Sequence, residues 1–142
     1  MRDRSLLLAG VLACLGALAG CASTPLAPIP GLPAGTCDQR RVDRLLFGMN
    51  TPDGAIDEVE WQRFLAEVVT PRFPDGLTVY NARGQWRGES GRIEREDSRA
   101  VEIVHGDEVS GRARIAEIVA EYKRRYRQEA VLVISSSAQV CL

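Results

Sequence analysis

From Leu65 to Arg87 the chain reads LAEVVTPRFPDGLTVYNARGQWR, and few folds accommodate that stretch. Apolar residues at helical spacing run into Pro71, which forces Thr70 out of helical geometry and stops the helix. Pro74-Asp75-Gly76 then supplies a tight turn. A long strand follows from Leu77 to Trp86. Leu77 and Val79 define one of its faces, and Tyr80, Ala82, Gly84 and Trp86 line the other. Neither face is cleanly apolar or polar, so a bulge is expected near Asn81 or Gly84. The rest of the domain is read as packing around this handover from helix to strand.

Upstream, Leu45, Phe47 and Met49 alternate with polar or small residues, which predicts a half-buried first strand over 41–49. Asn50-Thr51-Pro52-Asp53-Gly54 has the residue types of a turn. A first helix begins near Asp57. Asp57 and Glu60, three residues apart, match a capping box, in which each side chain bonds the other's backbone amide. Trp61, Phe64, Leu65 and Val68 make one apolar stripe at helical spacing. After the Leu77–Trp86 strand, the segment from Gly88 to Gly91 turns the chain. A third strand returns with its core over 99–105, where Val101, Ile103 and His105 share a face. A second helix is predicted over 109–127, with Ile115, Ile118, Val119, Tyr122 and Tyr126 as its stripe. Lys123, Arg124, Arg125 and Arg127 crowd its C-terminal end, where positive charge suits the helix dipole. A solvated basic end accounts for them better than an anion site does. The run AVLVIS over 130–135 is the fourth strand.

The order strand, helix, strand, strand, helix, strand is the split βαβ arrangement. The expected class is therefore α+β: a ferredoxin-like βαββαβ fold, with two helices on one face of a four-stranded antiparallel sheet. The other face is left open and must be polar or covered, because a large exposed apolar patch is unusual in a monomer. A homodimer packed through that face is one way to cover it. A chain of 142 residues suits one compact domain. Its 18 basic and 19 acidic side chains leave a net charge of -1, without the basic excess of a nucleic-acid-binding module.

The N-terminus reads as a targeting segment. Arg2 and Arg4 precede an apolar run from Leu6 to Leu18, too short for a comfortable membrane span. Leu18-Ala19-Gly20-Cys21 resembles the bacterial lipoprotein signal, the lipobox. The resemblance implies removal of residues 1–20 and lipidation of Cys21, which would anchor the protein to the lipid membrane. Ala22 in place of an aspartate implies the outer membrane of the cell envelope, facing the periplasm. Several acyl chains together hold a protein firmly where one holds it marginally. Residues 21–36 form a tether with Pro25, Pro28, Pro30 and Pro33 and no charge, semi-extended in character. The globular domain is 37–142. With Cys14 removed and Cys21 lipidated, Cys37 and Cys141 remain, and an oxidising compartment favours a disulfide between them. The topology agrees, since the first and last strands are antiparallel neighbours. That brings the start of one beside the end of the other.

The segments LLFGMNTPDG, WQRFLAEVVTPRFPDGLTVYNARGQWRG and AEYKRRYRQEAVL resemble the DUF3574 family, bacterial secreted or lipoprotein-like domains of unknown function. The resemblance covers nearly all of 37–142. It implies one domain and brings no catalytic residues.

The chain supplies little catalytic chemistry. One histidine, without a Cys-x-x-Cys or His-x-x-x-His pair, gives no metal site. A nucleophilic triad would have to use His105, and no Gly-x-Ser-x-Gly pattern frames Ser135, Ser136 or Ser137. Catalytic residues and cofactors are therefore expected to be none. The best ligand-binding candidates are Arg83, Gln85, Trp86 and Arg87 at a strand end, where guanidinium groups and an indole can grip an anionic or planar ligand. His105 is a weaker member, placed opposite Leu77 or Val79 if strands two and three form a hairpin. Against that stands the reading that Trp86 caps the core and the arginines are solvated. The expectation is an envelope-tethered, non-catalytic binding or interaction module. The alternatives are a small dimeric ferredoxin-like enzyme, acting on a planar or anionic substrate in a pocket between two sheets, and a purely structural envelope protein.

Overall fold

The structure is a computed structural model that describes residues 30–31, 37–88, 90–106 and 108–141. The targeting segment, the lipidation residue Cys21 and all of the tether except 30–31 lie outside the described residues.

Four strands form one antiparallel sheet: β1 (Cys37–Gly48), β2 (Thr78–Arg87), β3 (Ile93–His105) and β4 (Leu132–Cys141). Their order is β2-β3-β1-β4, which is the ferredoxin-like arrangement. A short hairpin, Asn50–Thr51 with Gly54–Ala55, links β1 to helix α1 (Glu58–Phe64). Helix α2 (Val109–Tyr126) joins β3 to β4. Among the described residues, no helix is long and apolar enough to cross a membrane.

The core lies between the helices and one face of the sheet. Leu45 and Phe47 face it from β1, Met49 from just past its end, and Val101 and Ile103 from β3, where the alternation of apolar residues placed them. Trp61, Phe64 and Val68 of the first helical stripe meet Ile118 and Tyr122 of the second. Phe47 sits among aromatic rings, its centroid 4.6 Å from Tyr122 and 5.5 Å from Trp61. The buried Tyr122 hydroxyl donates to the Gly48 carbonyl at 2.7 Å, which ties α2 to the end of β1. Desolvation raises its phenol above the ordinary range.

Asp57 caps α1 by accepting from the Glu60 amide at 2.8 Å. The helix then widens into a π-helical turn over Leu65–Val69, closed by the Thr70 amide on the Leu65 carbonyl at 2.9 Å. Pro71 thus ends the helix through a widened turn, but it does not force Thr70 out of helical geometry as expected, since Thr70 stays helical at φ -56° and ψ -43° and its amide closes the wider turn. The basic end of α2 is ion-paired: Arg124 with Glu121, Arg125 with Glu67 and Glu121, and Arg127 with Asp53.

Two further expectations need correction. The β2–β3 ladder runs without a bulge from Thr78 opposite Glu102 to Arg87 opposite Ile93. The mixed faces of β2 have another cause. Beyond Val79 its helix-side residues Asn81, Arg83, Gln85 and Arg87 are exposed, so neither face there must be apolar. And His105 does not lie opposite Leu77 or Val79. Val101 faces Val79, while the strand partner of His105 is Arg41 on β1.

Candidate functional site

Register separates the five candidate ligand residues. Arg83, Gln85 and Arg87 point to the helix side of the distal hairpin, and Trp86 points the other way. Arg83 and Gln85 line an open groove of about 530 Å³ with Asn50, Arg95, Glu96 and Asp97. Arg83 lies 3.4 Å from Asp97 with both side chains in solvent, a geometry that contributes little. Arg87 donates to the Gly91 carbonyl at 2.7 Å and so braces the hairpin turn. His105 sits at the opposite end of β3, about 40 Å of strand from Ile93. The groove therefore holds two of the five, and no single pocket holds all of them.

His105 belongs to a buried polar network. Its Nε2 lies 2.7 Å from Asp43 Oδ2 and its Nδ1 lies 2.6 Å from the Gly106 carbonyl. Ser135 donates its hydroxyl to the other Asp43 oxygen. A backbone carbonyl only accepts, so Nδ1 carries a proton, and Asp43 and Nε2 hold one more between them. The order is hydroxyl to carboxylate to imidazole, so the serine does not touch the base that would activate it. That geometry lacks the nucleophile–base contact of acyl-transfer triads. Phe73 packs on the imidazole with centroids 5.3 Å apart. Gly111 of α2 makes room for the ring, since a Cβ there would fall 2.5 Å from Nδ1. The signal for this network was Asp43 itself, a charged residue in phase with Leu45, Phe47 and Met49.

The open face of the sheet is the second feature. Tyr80, Trp86, Val104, Leu132 and Ile134 all project from it. Among the described residues, the other exposed large hydrophobics are only Val59, Ile93 and Val109. Arg44 of β1 donates to Glu102 of β3 across the centre of this face, with Nε at 3.1 Å. At the hairpin end, the Glu96 carboxylate folds over Gly48, where a Cβ would fall 2.5 Å away. Burial raises the Glu96 carboxyl above its ordinary 4.5, against hydrogen bonds from the Asn50 amide and the Trp86 side chain. Trp86 is thus fastened to Glu96 on the open face and does not cap the core. Among the described residues, no three His, Cys, Asp or Glu side chains converge as a metal centre needs.

The profile of the family described as "Protein of unknown function (DUF3574)" matches residues 42–142. The chain belongs to this family. No curated protein sequence matches the DUF3574 chain. Among solved structures, it resembles a phage SAM lyase in complex with S-methyl-5'-thioadenosine. The TM-score is 0.57 at 16% identity, over 82% of this chain and 97% of the lyase. It also resembles CutA from Synechococcus elongatus PCC7942, with a TM-score of 0.50 at 10% identity, over 75% of this chain and 87% of CutA. At these identities the likeness establishes the fold of the DUF3574 domain and nothing of its chemistry.

Proposed function

We propose that this DUF3574 protein is a membrane-anchored, non-catalytic module of the cell envelope that associates with a second copy of itself through the open sheet face. The observation that carries the reading is the gathering of exposed apolar side chains on that face. The edge strand β4 sharpens it. Val131 and Val133 pack against the core while Leu132 and Ile134 point outward, so the run is apolar on both sides. Strands with that pattern are ordinarily covered on both faces. Strand lengths and spacings give the open face an area of about 700 Å², close to what each partner buries in a standard interface.

The anchor rests on the lipobox resemblance at Cys21, and the outer-membrane assignment on Ala22. The Cys37–Cys141 disulfide suits an oxidising compartment. The non-catalytic reading rests on His105, whose ring nitrogens are committed to Asp43 and Gly106. The lyase's complex with S-methyl-5'-thioadenosine raises an enzymatic reading on the same fold. That reading would need Arg83, Trp86, Arg87 and His105 to converge, and they occupy separate places.

Sedimentation of the lipidated protein in density-matched detergent tests self-association. The expected species is a dimer that Ile134→Lys converts to a folded monomer. A monomer at every concentration reached overturns the reading. Cys21→Ser should release the protein from the membrane fraction, and retention there would remove the anchor.

A further inference from the structure

Assuming that self-association, we infer that the two copies meet with β3 of one over β1 of the other. Their two-fold axis would run along the strands between β1 and β3. The argument is charge and register. On the open face β3 carries Glu94, Glu96 and Glu102, whereas β1 carries the guanidinium groups of Arg40 and Arg44, with Asp38 beside Arg40. Face-to-face sheets related by a two-fold axis across the strands set β3 on β3 and β1 on β1, so like charges oppose. An axis along the strands exchanges the two central columns and sets Glu102 over Arg44, the acid–base pair inside the shared register. Glu94 and Glu96 fall beyond the end of β1, and Arg40 beyond that of β3.

That axis also turns every lateral neighbour pair into a facing pair. Arg44 and Glu102 are partners across β1 and β3 in one chain, so Arg44 of each copy would face Glu102 of the other, closing a four-membered charge ring. By the same rule Leu46 would face Ala100 and Val42 would face Val104, since those too are lateral partners. The outer columns exchange as well, which brings Tyr80 of β2 over Leu132 of β4. In these rows apolar meets apolar and Arg44 meets Glu102, as a self-complementary interface requires. A spacing of about 10 Å between sheets suits these side chains. Both Cys37 ends then leave the pair on one side, so both chains enter from the same direction, as two anchors in one membrane require.

The test uses a charge-exchanged chain, R44E/E102R, which keeps its internal ion pair and so keeps its fold. The exchanged chain should form homodimers as the unchanged chain does. Mixed pairs would set glutamate on glutamate and arginine on arginine. Native mass spectrometry of a mass-labelled mixture should therefore find mixed pairs at least tenfold below their statistical share. Mixed pairs at or above that share overturn the arrangement, because β3 on β3 would favour them. A trimeric mass overturns the arrangement as well. An unchanged protein that stays monomeric overturns self-association and the arrangement together, whereas a dimer that mixes freely with the exchanged chain overturns only the arrangement.

Discussion

Asp43 and Arg44 are neighbours on β1, and each pairs with a residue of β3, yet the two faces of the sheet treat them differently. The Asp43–His105 pair is almost wholly enclosed, with side chains 3% and 5% exposed. The Arg44–Glu102 pair has side chains 51% and 22% exposed. The same contrast separates Phe47, which is fully buried, from Leu46, which is half-buried on the open face. One strand therefore serves a finished core on one side and an unfinished surface on the other. Substitutions on the first side should register as lost stability, and substitutions on the second as lost association.

The largest expected effect comes from Phe47→Ala. Emptying its place among Trp61, Phe64 and Tyr122 should cost about 3–5 kcal/mol, read by chemical denaturation. Leu46→Ala should cost the monomer less than half as much and weaken the dimer instead. Equal losses of stability from the two would break the contrast between the faces.

The charged neighbours sharpen it. Asp43→Ala would strand His105 in the interior without its partner, at a cost of about 3–4 kcal/mol, while the exposed Ser135 hydroxyl would turn to solvent. Asp43→Asn should cost clearly less, because an amide can donate to Nε2 while still accepting from Ser135. Arg44→Ala should leave the unfolding midpoint of the monomer unchanged and weaken the dimer. If Asp43→Asn proves as damaging as Asp43→Ala, the proton inventory of the network is wrong.

A third effect falls where both faces end. Cys37 and Cys141 are direct partners in the β1–β4 register, with Cα atoms 4.0 Å apart and a sequence separation of 104. Replacing both with serine should lower stability by about 2–4 kcal/mol through the freed chain. Mass spectrometry of alkylated native protein checks the bond itself, since two added labels would exclude it.

Sequence made one side of this contrast legible. A core imposes periodicity, so Leu45, Phe47 and Met49 on a strand and Trp61, Phe64, Leu65 and Val68 on a helix announced what they face. The cysteine count, with Cys14 and Cys21 set aside, and the strand order together brought Cys37 to Cys141. The open side left a fainter mark, because AVLVIS reads as a strand buried on both faces and says nothing about what covers the second. The partner of His105 was hidden by a gap of 62 residues. The scatter of Arg83, Trp86 and His105 was hidden because adjacency on a strand means opposite faces, and register appears only once strands are paired.

The smallest effect lies on the open face, at Glu96. Desolvation gives its carboxyl a greater proton affinity in the folded protein than its ordinary 4.5, with Glu94 adding to the effect and the Asn50 and Trp86 hydrogen bonds opposing it. A group shifted upward stabilises the fold fully below its unfolded value. That contribution is lost as pH rises through the folded value. From 4.5 upward, Glu96 should therefore draw stability down. Glu58 and Glu121 act in the opposite sense, because hydrogen bonds from Gln62 and Arg99, and from Arg124, lower their carboxyls. The net curve blends these contributions, so the informative quantity is the difference between Glu96→Gln and the unchanged protein. Glutamine still accepts from Trp86 or Asn50 and carries no charge to desolvate. Its thermal midpoint should gain on that of the unchanged protein as pH climbs above 4.5, and parallel curves would mean that the half-open face hydrates Glu96 as fully as bulk water does. The dimer adds a further consequence. A second copy laid over Gly48 would desolvate Glu96 more, so the gap between the two curves should widen with protein concentration.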